Sequence, residues 1–68
     1  MHNTSKLKGR IIEKFGSQGA FAKRINRTQA FISKVLNGLS LLNQKDIVEW
    51  AEALEIPIDE IGTYFFAI

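Results

Sequence analysis

The feature that most constrains this chain is the stretch of residues 18–37, in which two short apolar patterns flank a break. In the first pattern, Phe21 and Ile25 lie four residues apart and so share one face of a helix. In the second, Ile32 and Val35 lie three residues apart, which is also helical spacing. The stretch therefore predicts two consecutive short helices, each with one apolar face.

The break between the two patterns contains Asn26, Arg27 and Thr28. Asparagine is one of the few residues other than glycine that tolerates the left-handed conformation in which a helix stops and the chain reverses. The hydroxyl of Thr28 is suited to cap the helix that follows. Ala22 lies where the two helices should cross, and a larger side chain there would push them apart. The pattern favours a helix-turn-helix motif.

The length of 68 residues indicates one domain, residues 1–68, whose core is so small that dimerisation or ligand binding would add useful stability. Residues 1–5 are expected to form a flexible arm, and residues 65–68 an apolar tail. The chain has no cysteine, and His2, its only histidine, has no second ligand nearby in sequence. We therefore expect no disulfide, metal or cofactor. The apolar runs are too short for a membrane span and the N-terminus lacks a signal-peptide core, which favours a soluble intracellular protein.

Charge is divided unequally along the chain. All nine lysines and arginines lie within residues 1–45 with a single acid, Glu13, which gives this part a formal charge of +8. Six acids and no lysine or arginine lie within residues 46–68, a formal charge of −6. Such asymmetry is typical of a protein that presents one face to a polyanion. Together with the helix-turn-helix spacing, it favours nucleic acid as the partner.

Apolar periodicity predicts five helices and no strand, and hence an all-α fold. The helices are expected over residues 6–15, from a Ser17 cap to Ile25, from a Thr28 cap to Leu36, from an Asn43 cap onward, and from Pro57 onward. The side chains expected to point inward from helices 1, 4 and 5 are Leu7, Ile11, Ile12, Phe15, Ile47, Trp50, Ala51, Leu54, Ile58 and Ile61. The loop after helix 3 is expected to cover the core with Leu39, Leu41 and Leu42.

A set of residues spread through helices 2 and 3 carries a resemblance to a known family. These residues are Gln18, Phe21, Ala22, Ile25, Thr28, Gln29, Ile32, Val35, Asn37 and Gly38. Over about residues 6–64 the chain resembles the lambda-repressor-like helix-turn-helix family, the Cro/CI-type DNA-binding domains of temperate phages and related bacterial regulators. The family usually has glycine at the position of Asn26, and a small or amide residue at that of Lys34. The resemblance implies a five-helix domain, helix 3 in the major groove of DNA, and a place in a bacterial cytoplasm.

The resemblance also implies that four side chains of helix 3 face base edges, namely Gln29, Ala30, Ser33 and Lys34. Their chemistry suits that role, since a glutamine amide pairs with two atoms of adenine and a lysine donates to guanine acceptors. An alanine methyl group, in turn, contacts the methyl group of thymine. The ring of Phe31 either packs on thymine or sugar or folds back onto helix 2, and the second is slightly favoured.

A second set of residues is expected to contact the phosphate backbone, namely Gln18, Arg27, Asn37, Gly38 and Asn43. Gln18 and Asn43 each stand at the start of a helix, where a side-chain donor and the helix dipole act together on a phosphate. Asn37 and Gly38 are assigned from the resemblance, since family members commonly anchor the DNA backbone after the recognition helix. The candidates for long-range contacts are Arg27, Lys6, Lys8 and Arg10. The lysines of helix 1 suit a solvated surface nearly as well.

The apolar end of the chain, Tyr64-Phe65-Phe66-Ala67-Ile68, is expected to take part in an interface. A domain of this size cannot easily bury all of these side chains, and exposed apolar patches usually mark a contact. The candidates for a two-fold interface are Tyr64, Phe65, Phe66 and Ile68. Family members bind operators as dimers, with half-sites ~34 Å apart.

The favoured function is a sequence-specific, dimeric DNA-binding transcriptional regulator of the repressor type. The alternative is a protein-interaction module, similar to an antirepressor, that binds another regulator through the acidic half and the apolar tail. An enzyme is not expected, because a lone terminal histidine cannot complete a Ser-His-acid set and no glycine-rich phosphate loop occurs. RNA binding is disfavoured because the basic half, Phe31 apart, lacks exposed aromatic residues on which bases could stack.

Overall fold

Five α-helices and one short 3₁₀ helix make up most of the structure, a computed structural model that describes residues 4–66. The helices are Ser5–Phe15 (α1), Gln18–Arg24 (α2), Gln29–Leu36 (α3), Gln44–Ala53 (α4) and Ile61–Phe65 (α5), with the 3₁₀ helix Ile58–Glu60 directly before α5. No strand occurs within these residues, so the prediction of an all-α, five-helix fold is confirmed. None of these helices is long and apolar enough to cross a lipid bilayer.

The predicted N-terminal arm is shorter than expected. Ser5 already belongs to α1, and the hydroxyl of Thr4 donates a hydrogen bond to the carbonyl oxygen of Leu36 over 2.7 Å. This bond fixes the beginning of α1 against the end of α3. Residues 1–3 of the predicted arm and Ile68 of the predicted interface lie outside the described residues.

Three helices begin with the same capping arrangement, as their sequences predicted. The side chains of Ser17, Thr28 and Asn43 each accept a hydrogen bond from the backbone N–H three residues further on, over 3.1, 3.1 and 2.7 Å. A free N–H in the first turn of a helix otherwise needs water, so each cap contributes about 1 kcal/mol to stability. These caps set where α2, α3 and α4 begin.

The first four helices end at a residue in the left-handed conformation: Gly16, Asn26, Gly38 and Glu55, with φ of 83°, 59°, 74° and 56°. After α2, α3 and α4 the next residue donates its N–H to the carbonyl oxygen five residues back, over 2.8 to 2.9 Å. This is the Schellman arrangement, which satisfies carbonyl groups at a helix end and turns the chain away. The left-handed Asn26 predicted from sequence is confirmed.

The core is centred on Trp50 of α4, which is fully buried. Its ring makes edge-to-face contacts with Phe21 of α2 at 4.9 Å, Phe31 of α3 at 6.4 Å and Phe65 of α5 at 6.4 Å between centroids. Phe15 of α1 joins through Phe21, at 5.3 Å. Every helix therefore contributes a ring to one aromatic cluster, and the prediction that Trp50 lies in the core is confirmed.

Several residues predicted to point inward lie at the surface instead. Ile12 is 48% exposed, because the buried side of α1 runs through Leu7 and Ile11 and leaves Ile12 beside it. Ile58 is 88% exposed, because the chain after Pro57 begins as a 3₁₀ helix and the α-helical register starts only at Ile61. Leu39 and Leu41 are also exposed, whereas Leu42 packs against the core as predicted.

Arg10 fixes α1 to the end of α4 and is not a free surface cation. Its Nε donates to the carbonyl oxygen of Leu54 over 2.9 Å, and its Nη2 donates to that of Glu55 over 2.8 Å. The carbonyl groups at a helix C-terminus carry partial negative charge, so a guanidinium group there is stabilising. Arg10 was predicted as a candidate for long-range contacts with DNA, and its Nε and Nη2 are instead bonded within the protein.

Replacing Glu55 with glycine is expected to stabilise the fold. An L-residue with a side chain pays about 1–2 kcal/mol in the left-handed conformation, part of which is offset by the greater freedom of glycine in the unfolded chain. Loss of the exposed Glu55–Lys14 ion pair, 3.3 Å long, costs little. We expect the free energy of unfolding in urea to rise by about 0.5–1 kcal/mol.

Glu52 is the matched control, since it is an exposed glutamate inside α4. Glu52→Gly should lower the free energy of unfolding by about 1 kcal/mol because glycine is a poor helix former. A fall in stability for both variants would contradict the account of Glu55.

Candidate nucleic-acid interface

The α2–α3 unit, residues 18–36, is held together by the apolar faces that its sequence predicted. Phe21 and Ala22 of α2 are buried, and so are Ile32 and Val35 of α3. The small side chain of Ala22 leaves room for the two helices to approach. Because these apolar faces pack in the core, the opposite side of α3 is left at the protein surface.

The exposed surface of α3 begins at its first turn. Gln29, Ala30 and Lys34 are exposed, and Ser33 is half-buried. The four residues predicted to contact bases thus lie along one helix, away from its buried residues. They offer amide, methyl, hydroxyl and ammonium groups, which can donate and accept hydrogen bonds and make apolar contact.

Gln18 lies beside this surface and is tied to it. Its Oε1 accepts a hydrogen bond from the hydroxyl of Ser33 over 3.2 Å. The bond uses the oxygen of the amide and leaves the Nε2 hydrogens for another acceptor. The first residue of α2 and the middle of α3 are therefore connected through polar side chains as well as through the core.

Arg27 lies in the turn between α2 and α3, where it joins both to α4. Its Nη2 donates to Oδ1 of Asp46 over 2.7 Å, and its guanidinium group stacks on the ring of Phe31 at 4.4 Å from the centroid. Asp46 is nearly buried, whereas the Arg27 side chain remains 39% exposed. Phe31 thus folds back towards the core, between Arg27 and Trp50 of α4.

The Arg27–Asp46 pair is the main feature that the sequence analysis missed. Arg27 was assigned to a phosphate, and nothing in the sequence linked it to Asp46, 19 positions away. The available signal was a single acid close behind a basic segment, at a first-turn position. Such a signal is weak, since acids are common in first turns for the dipole alone.

The other residues predicted to contact phosphate surround the same region. Asn37 and Gly38 follow α3 and are exposed, and their backbone N–H groups donate to Ser33 and Val35 of that helix. Asn43 is exposed, and its Oδ1 is used in capping α4. In each asparagine the side-chain NH₂ is the group suited to a phosphate.

The cations of α1 differ in their surroundings. The ammonium group of Lys6 lies over the ring of Tyr64 at 5.1 Å from the centroid, and Lys14 pairs with Glu55 at 3.3 Å. Arg10 is held by the end of α4 as described above. Lys8 is exposed.

A shallow apolar groove of about 80 Å³ lies between the loop after α3 and the end of the chain. Its walls include Leu7, Val35, Leu41, Tyr64 and Phe66. Tyr64 and Phe65 are half-buried, whereas Leu41 is 81% and Phe66 55% exposed. Of the predicted interface residues that the structure describes, Tyr64, Phe65 and Phe66, the most exposed is Phe66.

Residues 4–66 contain no group of three or more histidines, cysteines, aspartates or glutamates arranged to hold a metal ion. Every buried side-chain nitrogen or oxygen in this range has a hydrogen-bond partner. Within residues 4–66, the polar groups open to a ligand are therefore those of the surface.

Replacing Asp46 with asparagine is expected to destabilise the protein by about 1–2 kcal/mol, because a charge-assisted hydrogen bond to Arg27 is weakened in a nearly buried place. The loss should shrink in 1 M salt, which screens the half-exposed partner. Urea unfolding at both salt concentrations measures it. Glu52→Gln removes the same charge from an exposed site of α4 and should change stability by less than about 0.5 kcal/mol. Equal effects of the two substitutions would show that the ion pair contributes nothing.

Comparison with known proteins gives one family match, which covers the whole sequence. No curated protein matches the sequence. One family profile, described as "Protein of unknown function (DUF739)", matches residues 1–68. Since that match spans all five helices and the surface of α3, the chain belongs to the DUF739 family.

Proposed function

We propose that this protein is a sequence-specific DNA-binding transcriptional regulator of the lambda-repressor-like, helix-turn-helix kind. In this proposal α2 and α3 form the helix-turn-helix, and α3 enters the major groove. The observation that carries it is the exposed polar side of α3, where Gln29, Ala30 and Lys34 stand out from a helix whose other side is buried. A major groove about 12 Å wide admits one α-helix with its side chains.

Each exposed side chain of α3 has a base that it suits. Gln29 can accept from N6 and donate to N7 of adenine, and Lys34 can donate to O6 and N7 of guanine. The methyl group of Ala30 suits that of thymine. The Ser33 hydroxyl already donates to Gln18, so it acts towards DNA as an acceptor, which favours the amino group of adenine or cytosine.

Phosphate contacts in the proposal follow from the hydrogen-bonding state of each candidate. Gln18, Asn37 and Asn43 keep side-chain NH₂ groups that can donate to a phosphate oxygen. The backbone N–H of Gly38 is occupied by Val35, so Gly38 serves by turning the chain without adding bulk. Arg27 reaches a phosphate only with the part of its guanidinium group that Asp46 does not use.

Exposed cations near α2 and α3 supply the electrostatic part of the proposed binding. They are Lys23, Arg24, Lys34 and Lys45. A protein that neutralises phosphates releases condensed counterions, so the logarithm of its affinity falls with that of salt with a slope of about −0.9 per contact. This attraction is independent of sequence, and specificity depends on α3.

A second copy of the chain is part of the proposal, because one short helix reads too few base pairs to define an operator. Two copies related by a two-fold axis would read half-sites ~34 Å apart in a palindrome. The apolar groove and the exposed Leu41 and Phe66 are the surface that we assign to this contact. Selection of bound sites from random duplexes tests it, since a dimer returns a palindrome and a monomer a single half-site.

Two substitutions in α3 test the assignment of base contacts on the selected site. Gln29→Ala and Lys34→Ala should each weaken binding by about 1–3 kcal/mol and relax the preference at one base pair per half-site. Competition among duplexes that differ at single positions measures both effects.

Lys8→Ala is the matched control, since it removes an exposed lysine of α1 and leaves α3 intact. It should leave the preferred sequence unchanged and at most weaken binding to all duplexes equally. If the two α3 variants select the same sites as the parent with the same affinity, the base-contact assignment is wrong.

The acidic part of the surface favours a second candidate, a protein-interaction module that binds another regulator. Glu52, Glu55 and Asp59 are exposed, together with apolar Val48 and Ile58. Exposed apolar residues among acids are suited to a basic protein surface. Sequence-indifferent, salt-sensitive DNA binding combined with tight binding to a regulator of the same promoter would favour this function over the first.

A further inference from the structure

Gly19, the second residue of α2, faces the side chain of Gln29 at the start of α3. A Cβ atom added at Gly19 would lie 3.2 Å from Oε1 and 3.7 Å from Cδ of Gln29. The first distance is shorter than ordinary van der Waals contact, so any other residue at position 19 would press on the amide oxygen of Gln29. Gly19 lies inside a helix and has no left-handed backbone, so its conformation does not require glycine.

We propose that Gly19 is a specificity-determining residue, whose missing side chain lets the amide of Gln29 rest against α2 in one position. This inference rests on the proposed function, since the position of the amide has a consequence only if Gln29 reads a base. In this inference Gly19 affects which base is preferred without itself contacting DNA.

A second contact between α2 and α3 lies one turn along α3. Ser33 lies four residues after Gln29 and donates its hydroxyl hydrogen to Gln18, the neighbour of Gly19. Residues four apart on a helix lie on one face, so the start of α2 contacts the exposed side of α3 at two successive turns. The Gln18–Ser33 bond holds the helices in register, and the Gly19–Gln29 contact positions the amide.

A small displacement of the Gln29 amide is sufficient to impair its recognition of adenine. Pairing with adenine requires the oxygen and the nitrogen of the amide to meet N6 and N7 together. A methyl group at position 19 pushes Oε1 away by a few tenths of an ångström or turns the side chain to another rotamer. Because the Gln29 side chain is exposed, it can move without destabilising the fold, and the expected effect is a weaker preference for the base that it contacts.

The test is Gly19→Ala, with Gly9→Ala as the matched control. Gly9 lies within α1, and a Cβ there would meet nothing within 4 Å. Both substitutions improve helix propensity, so each should raise the folding equilibrium constant, by up to about fivefold. Only Gly19→Ala should alter recognition, by lowering the preference at the base pair read by Gln29 about tenfold. That pair is identified as the one whose preference is lost in Gln29→Ala, and the preference read by Lys34 should not change.

A double variant shows whether the effect acts through Gln29. In the Gln29→Ala background, Gly19→Ala should cause no further loss of affinity for the selected site, because the group that it displaces is gone. If Gly19→Ala keeps the full preference of the parent, or weakens binding to the selected site equally in both backgrounds, the inference is overturned while the proposed function stands. A parent protein without any sequence preference would overturn the proposed function, and the inference with it.

A measurement without DNA tests the contact itself. The side-chain NH₂ resonances of Gln29 in the free protein should shift on Gly19→Ala and stay in place on Gly9→Ala. Unchanged resonances in Gly19→Ala would overturn the inference, whatever the result with DNA.

Discussion

The packing of one indole ring determines how this small protein holds together. Trp50 is fully buried and meets rings from α2, α3 and α5, while α1 joins through Phe15 and Phe21. Large aromatic side chains bury more surface than any aliphatic residue, which matters most in a domain with few core positions. The orientation of α3 depends on the same ring, since Phe31 lies against it.

Around that core, polar interactions define where each helix begins, ends and points. Capping side chains start α2, α3 and α4, and left-handed residues end the first four helices. The Arg27–Asp46 pair then fixes the turn between α2 and α3 on α4. As a result, the position of α3 against α2 and α4 is fixed, which any recognition by its side chains requires.

Local signals allowed much of this fold to be predicted from the sequence. Ser17, Thr28 and Asn43 cap helices through their own neighbours, and Asn26 turns the chain by its own conformational preference, so each was identified by position alone. The roles of Arg10 and Arg27 could not be, because their partners are 44 and 19 residues away and a free cation looks the same in sequence. Ile12 and Ile58 were wrongly predicted to be buried, because an apolar side chain does not by itself show whether a small core has room for it.

In the candidate site, too, local features could be predicted from the sequence and contacts between distant residues could not. The outward positions of Gln29 and Lys34 could be read from helical spacing, since they alternate with the buried Ile32 and Val35. The bond from Ser33 to Gln18 required coordinates, because it depends on how closely two helices cross. Glu55, whose left-handed backbone gave no sequence signal, shows that a residue unsuited to a turn is accepted when both neighbouring helices fix the chain there.

The bonds from Arg10 to the end of α4 also bear on how the chain folds as it is synthesised. Translation delivers Arg10 early, whereas its acceptors, the carbonyl oxygens of Leu54 and Glu55, are added 44 and 45 residues later. Trp50 is made almost as late, so a nascent chain holds most of its helices before it holds their common core. Completion of the domain therefore waits until Leu54 and Glu55 have been synthesised, and the nascent helices before them fluctuate until then.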